Sequence, residues 1–222
     1  MMRPWKTIDT AQTDGGTMTL LCRGEGDFLI KLNNYVLMNS RLHLTEKALA
    51  MNGLEHLENA RARVLIGGLG MGYTLRGALD SLGSKAEIVV AELNRVVVRW
   101  CRGPLKELTD AALEDPRVVL EIADVGNLIK NASRKSRKYD AILLDLYQGT
   151  HGALKDPRHP FFGLSALETS RLALSKSGVL AVWTEESDVS FEKRLAKAGF
   201  GVRKIRPGKG GPRHVVYVAT RD

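Results

Sequence analysis

Four glycines fall within six residues, where an apolar run gives way to a helical pattern. They are Gly67, Gly68, Gly70 and Gly72. Glycine lets the main chain bend sharply and approach a ligand without a Cβ clash, and the helix that follows offers free N–H groups. The spacing fits neither GxGxxG nor a phosphate-binding P-loop, because Tyr73 or Leu75 stands at the last glycine position and no Gly-Lys-Ser/Thr follows. We therefore predict a ligand seat at this turn that is not a dinucleotide fingerprint.

Two carboxylates follow the next two apolar runs. Glu92 ends the second run, where an acidic side chain can accept hydrogen bonds from both ribose hydroxyls. Asp124 opens a helix, so it either caps that helix or accepts a hydrogen bond from an adenine amino group. With their neighbours Leu93 and Val125, these residues are the predicted remainder of the ligand site.

A third carboxylate, Asp145, closes the fourth apolar run. In an open α/β sheet this edge borders the crevice in which ligands bind. A carboxylate placed there could have a raised pKa and could take a proton from an amine nucleophile or orient it. The alternative is an aspartate that only starts a turn. His151 and His159 follow in a long loop, and we assign neither of them a catalytic role.

Other chemistries lack their motifs. The sequence has no HExxH, no GxSxG elbow and no EF-hand loop, and its five histidines are scattered. Cys22 and Cys101 lie far apart without CxxC spacing. We expect no metal site and no disulfide framework.

The elements that must position these residues alternate along the chain. Apolar runs without polar alternation predict buried parallel strands at 64–68, 88–92, 118–122, 141–145 and 179–183. Helical patterns lie between them at 74–82, 95–108 with an interrupting Gly103-Pro104, 125–133 and 164–174. This order predicts a doubly wound α/β fold with a mostly parallel sheet.

The two ends of the chain differ from this alternation. After a helix at 188–198, strands at 201–205 and 214–220 are joined by a short glycine-rich loop, so they must pair antiparallel. An antiparallel terminal strand on a parallel sheet resembles class I S-adenosylmethionine-dependent transferases. Short strands are predicted at 17–22, 27–32 and 35–38, and a helix at 45–57. We expect a small N-terminal β segment, 1–44, and a Rossmann-like transferase domain, 45–222.

Composition is that of an ordinary globular protein. The 222 residues are 44% hydrophobic and 26% charged, which excludes disordered and fibrous classes. No apolar run approaches the ~18 residues of a membrane span, and no signal peptide is recognisable, so the expected compartment is the cytoplasm.

The net charge of +8 favours anionic partners. Two basic clusters contribute to it, Lys130, Arg134, Lys135, Arg137 and Lys138 in one and Arg203, Lys204, Arg206, Lys209 and Arg213 in the other. Because no aromatic residues interleave with either cluster, solvated surface is favoured over a nucleic-acid groove.

Several segments together resemble the polyamine aminopropyltransferase (spermidine synthase) family. They are 63–72, the strand ending Ala91-Glu92, 115–124, 139–145 and 176–180. The resemblance implies that Glu92 holds the ribose, and Asp124 the adenine end, of S-adenosylmethionine, its decarboxylated form or methylthioadenosine. It also implies that Asp145 is the first aspartate of the family's Asp-Ser-x-Asp motif, which deprotonates the attacking amine.

The departures from the family pattern fall on the acceptor side. The second aspartate of that motif is Gln148 here, and Tyr147 and Gln148 become the candidate acceptor-binding residues. The family's Tyr-His-Glu reads Leu44-Thr45-Glu46, and its upstream glutamine is Leu37. The acidic pair that follows that glutamine has no equivalent near Ser40-Arg41. With a net charge of +8, we expect a donor half that is kept and a diamine half that is altered and electrostatically unsuited to a polyamine.

The sequence therefore predicts a spermidine synthase-like transferase. It would move an aminopropyl or methyl group from S-adenosylmethionine or decarboxylated S-adenosylmethionine to an unidentified nucleophile, most simply a small molecule. Two alternatives stay open, a methyltransferase for an anionic or nucleic-acid acceptor and a non-catalytic nucleoside-binding protein. A homodimer is expected from the resemblance, because family members commonly pair through the sheet edge and the N-terminal segment.

Overall fold

Two β-sheets organise the protein in a computed structural model that describes residues 3–41, 43–146, 153–207 and 214–221. The first sheet is antiparallel, in the order β1-β2-β3-β4. Its strands are β1 (Lys6–Thr13), β2 (Gly16–Arg23), β3 (Asp27–Leu32) and β4 (Tyr35–Asn39). β1 has no counterpart among the predicted strands, because its sequence KTIDTAQT is mostly polar and five of its eight residues are exposed on a sheet edge.

The second sheet has seven strands in the order β10-β11-β9-β8-β5-β6-β7. Their bounds are β5 (Arg63–Gly67), β6 (Glu87–Glu92), β7 (Val118–Ile122), β8 (Tyr139–Leu144), β9 (Leu174–Thr184), β10 (Phe200–Ile205) and β11 (Val215–Arg221). β5 to β9 pair in parallel, whereas β11 pairs antiparallel with both β9 and β10. The predicted fold class, including the antiparallel terminal strand, is confirmed.

Six α-helices connect these strands in the described part of the chain. They are α1 (Leu44–Leu54), α2 (Tyr73–Ser81), α3 (Arg95–Arg102), α4 (Val125–Ser133), α5 (Leu164–Ala173) and α6 (Val189–Lys197). The helix predicted at 95–108 ends at Arg102, because proline at position 104 cannot continue it, and 3₁₀ turns follow at Lys106–Thr109 and Ala112–Glu114. β9 begins at Leu174, five residues before the predicted strand. No described helix has the length and apolar character needed to cross a membrane.

The N-terminal sheet shares a hydrophobic core with one face of the main sheet. Met18, Leu20 and Ile30 lie in the same buried cluster as residues of β5, β6 and α2. α1 packs closely on the main sheet, since a Cβ on Gly53 would stand 2.7 Å from Leu143 Cδ2. The division at 44/45 stays a proposal, and α1 begins at Leu44.

A polar contact also joins the two sheets. The indole Nε1 of Trp100 on α3 donates a hydrogen bond to Asp9 on β1 at 2.7 Å, and Arg99 donates to the same carboxylate oxygen. These bonds, with that from Trp100 the stronger influence, lower the pKa of Asp9.

Candidate active site

A cavity of about 420 Å³ opens where the parallel strands end. Most of the residues selected from the sequence line it, namely Gly68, Gly70, Glu92, Leu93, Asp124, Val125 and Asp145. Gly67 lies behind the lining, where an added Cβ would stand 2.9 Å from Val125 Cγ2. Tyr147 and Gln148, like His151, fall outside the described residues.

The glycine turn is held against the strand that carries Asp145. Gly68 has φ +89°, and a Cβ there would stand 2.4 Å from the carbonyl oxygen of Asp145. The Asp145 N–H donates to Gly67 O at 2.9 Å, and the Gly68 N–H donates to Ala91 O at 2.9 Å. Only glycine at position 68 allows this approach, so the turn and Asp145 form one rigid edge of the cavity.

Glu92 lines the cavity and does not face bulk water, with 7% of its surface exposed. One carboxylate oxygen accepts a hydrogen bond from Leu69 N at 2.9 Å, and the other accepts from Asn94 N at 2.7 Å. Because each carboxylate oxygen has a second lone pair, this fixed group can still accept two hydroxyl protons.

Both interpretations of Asp124 fit its position. Its Oδ1 caps α4 by accepting from Gly126 N at 2.7 Å, and the side chain also borders the cavity. Leu93 lies nearby with 67% of its surface exposed. An exposed leucine at a cavity mouth gives a flat ring an apolar surface to cover.

Asp145 is partly buried and accepts a hydrogen bond from Thr74 Oγ1 at 2.7 Å. The pKa of this carboxyl is raised to about 7. Burial is the main cause, the negative charge of Glu46 acts in the same direction, and the Thr74 hydroxyl acts in the opposite direction. A carboxylate with a pKa near neutrality is well matched to proton transfer under physiological conditions.

Glu46 is a second buried carboxylate in the same cavity. It lies in the first turn of α1, and Thr45 Oγ1 donates to it at 2.8 Å. Burial raises the pKa of Glu46. In the sequence, Glu46 belongs to a motif that departs from the family pattern, and the sequence predicted no role for it.

Trp183 and Glu185, at and just after the end of β9, complete this end of the cavity. The His214 ring lies 4.8 Å from the Trp183 ring, centroid to centroid, and His214 Nδ1 is 3.3 Å from Thr45 Oγ1. Burial lowers the pKa of His214, while the charge of Glu185 acts to raise it. Trp183 and Glu185 therefore lie near Glu46, and the sequence held no local signal for either.

The charge of the cavity is opposite in sign to that of the chain. Its described lining includes five carboxylates, those of Glu46, Glu92, Asp124, Asp145 and Glu185, and no lysine, arginine or histidine. The expectation of a diamine half that is altered and unsuited to a polyamine stays a prediction, but the net charge of +8 on which it partly rested does not describe this lining. Net charge sums the whole surface, whereas a cleft concentrates the field of the groups that line it.

Several residues of the two basic clusters form hydrogen bonds or ion pairs with other parts of the protein and do not line the cavity. Lys138 Nζ donates to the carbonyl oxygens of Ala132 and Ser133, and Arg203 and Lys204 form ion pairs with acidic side chains. Lys209 and Arg213 lie outside the described residues. Within the described ranges, no group of three His, Cys, Asp or Glu side chains is arranged to hold a metal ion.

The known proteins that this sequence resembles are of one kind. The family model of the spermine/spermidine synthase domain matches residues 43–198. Polyamine aminopropyltransferase 1 of Hyperthermus butylicus is 31% identical over 180 residues, which are 79% of this chain and 60% of that protein. Polyamine aminopropyltransferase of Pyrobaculum calidifontis is 35% identical over 88 residues, 40% of this chain and 30% of that protein. The chain thus spans 60% or less of the length of these relatives.

Solved structures agree in fold. The spermidine synthase of Thermotoga maritima superposes with a TM-score of 0.77 at 20% identity, covering 98% of this chain and 73% of that one. A spermidine synthase in complex with the transition state analogue AdoDATO gives the same TM-score and identity and covers 98% and 74%. Because the family model covers more than two thirds of the sequence, the chain belongs to the spermine/spermidine synthase family.

Proposed function

We propose that the protein transfers an aminopropyl group from decarboxylated S-adenosylmethionine to an amine and releases methylthioadenosine. The observation that carries this proposal is the cavity lined by five carboxylates beside a glycine turn. The names of the relatives support it, since they are polyamine aminopropyltransferases. So does the AdoDATO complex of a protein with the same fold.

The donor would lie along the turn at Gly68 and Gly70. Glu92 would accept hydrogen bonds from the ribose hydroxyls, using the lone pairs that Leu69 N and Asn94 N leave available. The adenine would lie near Asp124, with the apolar side chains of Leu93 and Val125 beside it. These contacts with the donor are proposed from where each residue lies in the cavity.

Charge favours the decarboxylated donor. S-adenosylmethionine carries a carboxylate that would enter a cavity whose described lining has five carboxylates and no basic side chain. The decarboxylated molecule carries only a sulfonium and an ammonium, both of which are attracted to that lining. Interactions of this kind gain strength in a cleft, because the local dielectric is lower than that of water.

The transfer is a displacement at carbon. The acceptor ammonium first gives a proton to Asp145, whose raised pKa makes the carboxylate a competent base. The nitrogen lone pair then attacks the aminopropyl carbon attached to sulfur, the C–S bond breaks, and its electron pair stays on sulfur as a neutral thioether. The product is a secondary ammonium, and Asp145 returns its proton to water. Holding the two reactants in line supplies much of the acceleration.

The same charges disfavour the alternative of methyl transfer to an anionic or nucleic-acid acceptor. A phosphate at Asp145 would approach Glu46 and Glu185 with no basic side chain in the described lining to oppose them. A binding protein without catalysis would bind the donor and release no product.

Calorimetry and product analysis test the proposal together. Decarboxylated S-adenosylmethionine should bind at least about tenfold more tightly than S-adenosylmethionine. With an amine added, chromatography should detect methylthioadenosine. Release of S-adenosylhomocysteine from S-adenosylmethionine would instead establish methyl transfer. Donor binding without either product, across a panel of amines, would establish the non-catalytic alternative.

A further inference from the structure

We infer that the acceptor is a monoamine with an apolar body, whose single ammonium lies at Asp145 and whose alkyl or aryl part packs against the N-terminal sheet. This inference rests on the proposed aminopropyl transfer and specifies its acceptor. It follows from an asymmetry in the cavity, which is acidic on one side and apolar on the other.

The apolar side comes from the N-terminal sheet. Every described residue that this sheet contributes to the cavity is apolar, namely Met18, Ile30, Leu37 and Met38. All five carboxylates of the described lining come instead from α1 or from the ends of main-sheet strands. The part of the acceptor that extends toward the N-terminal sheet therefore meets hydrocarbon and thioether groups.

A β-bulge contributes to this apolar wall. Ile30 pairs with Met38 and Lys31 pairs with Val36, so Leu37 is an extra residue without a partner in β3. Successive residues of a regular strand point to opposite faces, whereas a bulge reorients a side chain. Leu37 and Met38 accordingly both line the cavity, while Val36 is exposed outside its lining.

A second ammonium on the acceptor would lie against this wall. An ammonium moved out of water without a partner carboxylate is strongly disfavoured, whereas an alkyl group in the same place is stabilised by leaving water. The wall therefore selects against a diamine in favour of a monoamine of the same length.

The number of carboxylates near the reacting atoms also matches the number of positive charges that the donor and a monoamine bring. Glu46, Asp145 and Glu185 are the acidic residues at this end of the described lining. Glu92 and Asp124 already accept hydrogen bonds from the main chain and are assigned to the nucleoside. Three carboxylates match the donor sulfonium, the donor ammonium and one acceptor ammonium, and a diamine would bring a fourth positive charge.

The first test compares two acceptors of matched size, n-hexylamine and 1,5-diaminopentane, which differ by a terminal methyl in place of an ammonium. With decarboxylated S-adenosylmethionine, methylthioadenosine release should give kcat/KM at least about tenfold higher for n-hexylamine. Mass spectrometry should detect the N-(3-aminopropyl) product. A preference for 1,5-diaminopentane would overturn the inference.

The second test places a carboxylate in the wall. Leu37→Glu should shift the preference toward 1,5-diaminopentane by about tenfold or more, because the distal ammonium then has a partner. Val36→Glu introduces the same charge on the exposed face of β4 and should leave the preference unchanged. Unfolding midpoints of both variants establish that each is folded. If Leu37→Glu is folded and keeps the original preference, the wall does not contact the acceptor and the inference is wrong.

A binding measurement separates this inference from the proposed function. Both amines are titrated by calorimetry into protein saturated with methylthioadenosine. Tighter binding of n-hexylamine without turnover would refute aminopropyl transfer and support the acceptor class. Turnover in which the diamine binds more tightly and reacts faster would support aminopropyl transfer and refute the inferred acceptor class. Absence of both binding and turnover for both amines would overturn both conclusions.

Discussion

The carbonyl oxygen of Asp145 lies 2.4 Å from the position that a Cβ on Gly68 would occupy. The turn proposed to hold the donor and the residue proposed to accept the proton are thus packed main chain to main chain. A shift of either would displace the other, which links donor binding to the chemistry.

This contact predicts the effect of Gly68→Ala. The substitution adds a backbone clash to an unfavourable positive φ, so we expect a free energy of unfolding lower by about 3 kcal/mol or more and loss of donor binding. Gly26→Ala is the matched control, because Gly26 has φ +83° and no atom within 4 Å of the added Cβ. It should cost only about 1–2 kcal/mol. Equal destabilisation in chemical denaturation would show that the close approach to Asp145 is unimportant.

Asp145→Asn should remove turnover and preserve donor affinity. The amide cannot take the acceptor proton, and we expect kcat to fall by about a hundredfold or more. Asp80→Asn, on the exposed face of α2, is the control and should retain activity. Steady-state kinetics with calorimetry measures both quantities. A parallel loss of donor affinity in Asp145→Asn would assign this residue to the donor site.

Glu46→Gln should shift the pH dependence of the reaction downward. The rate should rise as Asp145 ionises, with a midpoint near its pKa of about 7. The negative charge of Glu46 contributes to that raised pKa, although burial is the larger cause, so the neutral amide should lower the midpoint in part. A rate profile that moves upward or stays in place would contradict this electrostatic coupling.

Thr74→Val should move the same midpoint upward, by about one pH unit. The valine retains the shape of the buried side chain but removes the hydrogen bond that favours the ionised carboxylate. Thr45→Val is the comparison, because it removes the hydroxyl that bonds to Glu46 instead. A more readily protonated Glu46 repels the charge of Asp145 less, so that variant should move the midpoint down. Shifts of the same sign in both variants would refute the assigned hydrogen bonds.

Glu92→Gln should weaken donor binding by about tenfold or more. The amide NH₂ would replace an acceptor oxygen that faces Leu69 N or Asn94 N, at a cost of about 1–3 kcal/mol, and would lose a ribose hydroxyl bond. Glu121→Gln, on the neighbouring strand β7 and exposed, should leave donor affinity unchanged. Calorimetry with methylthioadenosine tests the nucleoside contacts separately from those of the aminopropyl group.

The sequence predicted the central strands β5, β6 and β8 well because they are almost wholly buried and therefore contain uninterrupted apolar runs. The joined terminal strands could pair only antiparallel, and the position of Glu92 at the sheet edge followed from its place as the last residue of β6. β1 could not be recognised in the same way, since its polar edge sequence lacks the alternation that marks a half-buried strand.

The site residues that the sequence did not predict escaped notice for a different reason. Thr74 reaches Asp145 across 71 positions of sequence, and Glu46 and Glu185 enter the cavity from separate elements. Nothing in the neighbouring sequence distinguishes an ordinary helix threonine, or a glutamate in a first helical turn, from one that borders a cavity. The acidity of the cavity emerges only when these distant side chains are assembled.

The bulge at Leu37 has a consequence for how such an enzyme diversifies. It lies on a sheet that contributes none of the residues proposed for donor binding or proton transfer. Under the proposed function, a change at Leu37 would alter which amine is accepted without replacing any residue proposed for donor binding or proton transfer. Acceptor choice would then be adjustable at this one bulge, and new substrate preferences would arise by drift at a single position of a small sheet.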